Sequence, residues 1–140
     1  MEFVTPRPTA KGPAEWFTGD VRWDVLAAGA APSRLRFNLV RFAPGARTHW
    51  HAHAVGQTLH VVSGTALIGT RDGTVFEAQP GDTVSCPPGE EHWHGATADR
   101  FMAHHALWEA TGDGTPETTW AEPVTDAQYA EPARTRRPPQ

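Results

Sequence analysis

Cysteine is nearly absent: Cys86 is the only one in 140 residues. A lone thiol cannot close an internal bridge, so a disulfide scaffold is excluded and a reducing compartment is allowed. The chain also lacks any apolar run near the roughly 18 residues that cross a bilayer. Its first residues, MEFVTPRPTAKGP, have no apolar core of the kind a secretory leader carries. A soluble, cytoplasmic protein with no membrane partner is expected. Basic charge is scarce too. Twelve Lys and Arg face sixteen Asp and Glu, a formal charge of −4, which disfavours nucleic acid because phosphate binding needs a basic face. The one basic cluster, Arg134, Arg136 and Arg137, lies in a proline-rich end and is read as solvated tail. No glycine-rich phosphate loop and no internal repeat is visible.

What is present is turn punctuation. Pro and Gly recur every eight to twelve residues, the spacing of many short strands. Residues 1–13 hold three prolines and are expected as an extended arm; 14–130 form the domain; 131–140, again with three prolines, are expected to be disordered. Arg34 to Phe42 alternates polar and apolar, as a half-buried strand does. The alternation slips near Leu39-Val40, where a bulge or two-sided burial is expected. Thr65 to Thr70 and Thr74 to Ala78 flank Arg71-Asp72-Gly73, a hairpin signal. Phe101 to Glu109 reads as a last long strand. Only Ala14 to Phe17 and Asp126 to Tyr129 read as helical turns. The fold class is all-β, a barrel or double-sheet sandwich.

Histidine is the residue in excess. All eight lie between 49 and 105, so the ends are empty and a shared site is favoured. In a strand, positions i, i+2 and i+4 share a face. His49, His51 and His53 would then project together, with Trp50 on the other side. Imidazoles about 7 Å apart along a strand converge on one ion in twos more readily than in threes. His92 and His94 alternate around Trp93 in the same way. His104 and His105 sit in the last strand, facing opposite ways. Neutral imidazole is a ligand for Mn, Fe, Ni and Zn. His60 has the wrong parity to join Gln57, and Cys86, just before a proline turn, reads as inert packing.

Gly45, five residues, His51, one residue, His53, three residues, Gln57, six residues, Gly64 resembles the first cupin motif. Gly81, five residues, Pro87, one residue, Gly89, two residues, His92 resembles the second. The resemblance implies a cupin double-stranded β-helix, a jelly-roll barrel, with the four glycines at tight turns. It also implies that His51, His53, Gln57 and His92 hold one divalent ion. Gln57 stands where the first motif usually has Glu, and Ala96 where the second usually ends in Asn. A neutral amide leaves the ion its full charge, making a stronger Lewis acid at some cost in affinity. KGPAEWFTG (Lys11 to Gly19), PGARTHWH (Pro44 to His51), GQTL (Gly56 to Leu59), PGEEHWHGA (Pro88 to Ala96) and VTDAQY (Val124 to Tyr129) extend the likeness. They resemble a bacterial cupin subgroup that includes the manganese-dependent hydroxynitrile lyases.

That subgroup implies manganese as the ion, with iron, nickel or zinc as the other candidates. It implies cyanohydrin cleavage and synthesis, with a small-molecule substrate expected to be aromatic. His104 is expected as the acid–base residue, His94 next, since a histidine near neutrality suits proton transfer. Val40, Leu59, Ala106 and Trp108 are expected to wall the pocket. His49 and Asn38 stand where those lyases have small residues; both are expected to face the interior, as a catalytic group or as pocket wall. Competing classes are a metal-dependent dioxygenase, an isomerase or cyclase on a phenolic or polyketide-like metabolite, and a non-enzymatic small-molecule binder. A homodimer or homotetramer is expected, with the N-terminal arm exchanged onto a neighbour.

Overall fold

The computed structural model describes residues 1–130 and 134–136. Two facing sheets account for nearly all of its regular structure. Numbered along the chain, the first sheet runs in space as Ala10–Lys11 (β1), Val21–Ala28 (β3), Leu35–Phe42 (β4), Met102–Glu109 (β12), Gln57–Ser63 (β7) and Thr83–Cys86 (β10). The second runs as Thr118–Trp120 (β13), His51–His53 (β6), His92–Ala96 (β11), Ala66–Thr70 (β8), Val75–Ala78 (β9) and Arg134–Arg136 (β14). Phe17–Thr18 (β2) pairs with Arg47–Thr48 (β5), which joins the second sheet through β11. All pairings are antiparallel except β14 on β9. This is the double-sheet all-β arrangement expected from the strand spacing, and the jelly-roll that the motif resemblance implies.

The strands form where alternation or apolar content favours a pleat buried on at least one face. β4 stays in continuous register with β12 across eight residue pairs, so the slip at Leu39-Val40 is not a bulge in β4. Most of the strand is half-buried on both faces, which is what the broken alternation reflected. The bulges fall in its neighbours, at Val25/Ala27 and Ala103/His104. The Asp-Gly hairpin between β8 and β9 is present, with Gly73 at φ +86. Gly45, Gly64, Gly81 and Gly89 all have positive φ. At Gly64 a Cβ would also lie 2.0 Å from the Phe101 carbonyl, so two strand ends cross there only over glycine.

Between the sheets, Phe42, Leu59, Val61, Ile68 and Met102 are almost wholly buried. Each such side chain contributes roughly 1.5–3 kcal/mol relative to exposure. On the outer face of the second sheet a smaller cluster packs Trp50, Leu67, Val75, Trp93 and Val124. Both tryptophans that alternate with histidines therefore point away from the site, as their parity required. The C-terminal segment is fastened over this cluster. The Arg47 guanidinium donates to the Val124 carbonyl (2.9 Å) and to Asp126 (2.8 Å), and lies 4.6 Å from the Tyr129 ring centre. Thr125 caps the single helical turn Asp126–Tyr129 (α1) in a capping box with Gln128.

Ala14 to Phe17 is a single turn, closed by the Trp16 and Phe17 N–H groups on the Pro13 carbonyl, and it leads straight into β2, where Phe17 pairs with Thr48. Two short strands lie outside 14–130: Ala10–Lys11 pairs with β3 of its own chain, and Arg134–Arg136 pairs in parallel with β9. The rest of the expected tail, 131–133 and 137–140, lies outside the described residues. Among the described residues no helix is long and apolar enough to cross a membrane.

Gly69 on β8 faces Trp93, and an added Cβ would sit 2.2 Å from the indole Nε1. Gly69→Ala is expected to destabilise the fold by about 1–3 kcal/mol through overpacking, read as a drop in denaturation midpoint.

Candidate metal centre

His51 and His53 occupy alternate positions on β6, so both rings enter the space between the sheets. His92 lies directly across from His51 on β11. The ligand nitrogens of these three residues lie within 4.8 Å of one another, a set able to hold a metal ion. Gln57 opens β7 on the facing sheet, and its Oε1 lies 3.1 Å from His92 Nε2. Its amide also reaches His51 and His53.

The aim of each ring is set by its other nitrogen. His51 Nδ1 meets the His49 carbonyl at 3.0 Å, and His92 Nδ1 meets the Glu90 carbonyl at 3.0 Å. A carbonyl only accepts, so both rings carry their proton on Nδ1 and present a lone pair at Nε2. His53 Nδ1 is engaged by the Thr118 hydroxyl on β13 at 3.2 Å. Every Nε2 is thereby turned toward one point. His53 Nε2 is buried with no hydrogen-bond partner. His92 Nε2 and Gln57 Oε1 are two acceptors face to face. A cation satisfies both, so the residues present fit a divalent ion.

Burial, then the neighbouring imidazoles, holds the His51 pKa well below its ordinary value. Burial, then His92, brings His53 to about 4. Burial also lowers His92. All three rings are neutral at pH 7, the form that binds metal.

Beside this set His94 on β11 is buried, its Nδ1 2.9 Å from His104 Nε2 on β12. Its main-chain N–H donates to Thr48 Oγ1, and Phe42 packs against both rings. His94 Nε2 has no partner. Burial, then His104, lowers the His94 pKa strongly. Burial brings His104 to about 4.

His51, His53, Gln57 and His94 border a cavity of about 520 Å³. Its mouth is aromatic: Trp16 stacks on Trp120 at 5.2 Å, and Trp120 stacks on His51 at 4.6 Å. Trp108 stands against His53 at 5.5 Å. The Trp108 indole donates to Glu117 at 3.0 Å, and Arg36 donates to the same carboxylate at 3.1 and 3.3 Å. Burial alone would raise the Glu117 pKa, but Arg36 and Trp108 outweigh it and hold it low. A larger open depression lined by Thr65, Glu77, Asp82 and Arg100 contains none of the histidines.

The structure brings His51, His53, Gln57 and His92 together, with Asn38, Val40, Ala106 and Trp108 across the cavity from them. Three residues are placed otherwise. β5 ends at Thr48 and β6 starts at His51, so His49 is not on the face of His51. Its N–H is tied to the Trp16 carbonyl and its ring to the Glu15 main chain, outside the cavity lining. His104 does not line the cavity but stands behind His94. Leu59 is fully buried between the sheets rather than at the pocket wall. His60 and His105 stack on each other away from the site. The sequence reading missed Trp16, Trp23, Thr48, Glu117, Thr118 and Trp120. Trp23 lies on β3 and the others on short strands and connections, where the sequence carries no local pattern that points to the cavity.

Two outcomes are expected. Mn(II) binding followed by calorimetry is lost in His51→Ala, and Gln57→Glu binds at least tenfold tighter, since a hard ion prefers a carboxylate to an amide. Stability of the metal-free protein falls with acid. His53 and His104 protonate near 4 when folded and near 6.5 when unfolded, so between those values the unfolded chain holds more protons. For His104 that linkage is about 3 kcal/mol at its full extent. Thermal melts from pH 7 to pH 4 read the loss, and His104→Leu flattens the slope.

Residues 38–108 match the cupin domain family (Cupin_2). An (R)-mandelonitrile lyase from Granulicella tundricola is 46% identical over 126 residues, 90% of this chain and 95% of that one. Among solved structures, a cupin-like protein of Thermotoga maritima is 34% identical with a TM-score of 0.78, over 86% of this chain and 90% of that one. The polyketide cyclase RemF of Streptomyces resistomycificus shares the fold at a TM-score of 0.62 and 18% identity, over 78% of this chain and 75% of that one. The jelly-roll, the paired histidine motifs and these likenesses agree: the chain belongs to the cupin family.

Proposed function

We propose that this cupin is a metal-dependent hydroxynitrile lyase that cleaves and forms aromatic cyanohydrins. The observation that carries the reading is His94 Nε2, buried and unpartnered on the wall of an aromatic-mouthed cavity beside three converging imidazoles. The 46% identity to a protein named (R)-mandelonitrile lyase supports it.

A divalent ion held by His51, His53, His92 and Gln57 would supply positive charge for the oxygen or cyanide that becomes anionic; manganese is favoured by the resemblance. The chain's own groups account for binding and proton movement. Trp16, Trp108 and Trp120 take the aromatic ring at the mouth. His94 Nε2 accepts the substrate hydroxyl proton. The carbon–carbon bond to the nitrile breaks, its electron pair leaves with cyanide, and the carbinol oxygen becomes the aldehyde carbonyl. The proton on His94 then passes to cyanide, giving hydrogen cyanide and restoring the neutral ring. His104, at 2.9 Å from His94 Nδ1, orients that ring and polarises it as the proton arrives. This reverses the order expected from sequence: His94 touches the substrate and His104 acts through it.

Protein loaded with Mn(II) is expected to release cyanide from mandelonitrile well above the buffer rate, with one enantiomer favoured. His94→Ala lowers kcat by 10²–10⁴-fold, the usual worth of a general base. His104→Ala gives a smaller loss with KM little changed. Release at the buffer rate from metal-loaded protein overturns the lyase reading and favours an oxygenase or cyclase.

A further inference from the structure

The hydroxyl and the ring of a cyanohydrin have partners in this cavity, but its third recognisable feature, the nitrile, is so far unassigned. Asn38 is the side chain left over. It lies on β4, lines the cavity, and faces Ala106 on β12 and Val25 on β3 across the sheet. Neither neighbour offers a hydrogen-bonding group, and the small Ala106 leaves the amide uncovered. The other neutral polar side chains of the wall are committed. Gln57 addresses the histidines, Thr48 accepts the His94 main-chain N–H, and Thr118 engages His53. No hydrogen bond to another described residue is made by the Asn38 side chain. A half-buried amide in a mostly apolar wall is disfavoured unless something pairs with it, and water or a ligand is what remains.

Resting on the lyase reading, we infer that Asn38 is a substrate-contacting residue whose amide N–H groups hold the nitrile nitrogen of the cyanohydrin, and the nitrogen of cyanide in the reverse reaction. The register supports the placement. Asn38 pairs with Ala106, which is one same-face step along β12 from His104 and one from Trp108. His104 backs His94, where the hydroxyl proton goes, and Trp108 borders the ring at the mouth. A donor between those two rows meets a substituent that leaves the carbinol carbon in neither direction. Nitrile nitrogen is an acceptor only, and the Asn amide carries two donors. The contact strengthens as charge develops on the departing cyanide, so it aids cleavage as well as binding.

The synthetic direction separates the two ends of the site. With metal-loaded protein, benzaldehyde and cyanide are varied independently for wild type, Asn38→Ala and the isosteric Asn38→Leu, each with its fold checked by circular dichroism. The KM for cyanide is expected to rise about tenfold, the worth of one neutral hydrogen bond. The KM for benzaldehyde is expected to stay within about twofold. Asn38→Asp, which keeps the shape but loses both N–H donors, behaves like Leu. A cyanide KM that does not move in an active protein overturns the assignment and leaves the lyase reading standing. A rise confined to benzaldehyde also overturns it, placing the amide against the ring instead. Wild type that makes no mandelonitrile removes the lyase reading and this assignment with it.

Discussion

The hydrogen bonds at Nδ1 of His51, His53 and His92 are the constraint on which the centre depends. Each holds one ring nitrogen to an oxygen, and so decides where the other nitrogen points. Two of the three oxygens are main-chain carbonyls two residues before the ring they hold. His51 and His92 are thus oriented by their own local backbone, with no added side chain. The third comes from Thr118, on a strand that reaches the site only because β13 pairs with β6. Loss of that pairing would free His53 to rotate while His51 and His92 stayed fixed.

A second consequence is electrostatic. Four imidazoles lie side by side with no carboxylate among the ligands: His51, His53 and His92 at the centre and His94 beside them. Burial and mutual repulsion keep them neutral, so positive charge on this wall would have to come from a bound ion. Gln57 preserves that situation where a glutamate would cancel part of the charge. The one carboxylate at the cavity, Glu117, is already neutralised by Arg36 and used to hold Trp108. The cavity is therefore an apolar, aromatic room whose histidine wall is neutral by itself and would become electropositive with a divalent ion held there.

The fold was legible in the sequence because turn chemistry and strand alternation leave local marks. The Asp-Gly hairpin, β4 and the parity of Trp50 and Trp93 followed from such marks. The ligand histidines were legible through motif spacing. The errors have separate causes. His49 was placed by extending a period-2 pattern through Trp50, but there the chain changes backbone partner, from Trp16 at His49 to Ala121 and Glu122 at Trp50, and the strand does not run on unbroken. His104 had the correct facing but the wrong depth, since alternation gives a side and not a distance from the cavity. Leu59 failed for the same reason. Trp16, Glu117 and Trp120 were invisible because their contacts are set by pairings remote in sequence.

The most direct test is a crystal structure of the Mn(II)-loaded protein with anomalous diffraction collected across the manganese edge. One peak bonded to Nε2 of His51, His53 and His92 and to Oε1 of Gln57, with the three Nδ1 hydrogen bonds retained, is the predicted result. A peak bound through Nδ1, a peak away from these residues, or none at saturating metal would contradict the account.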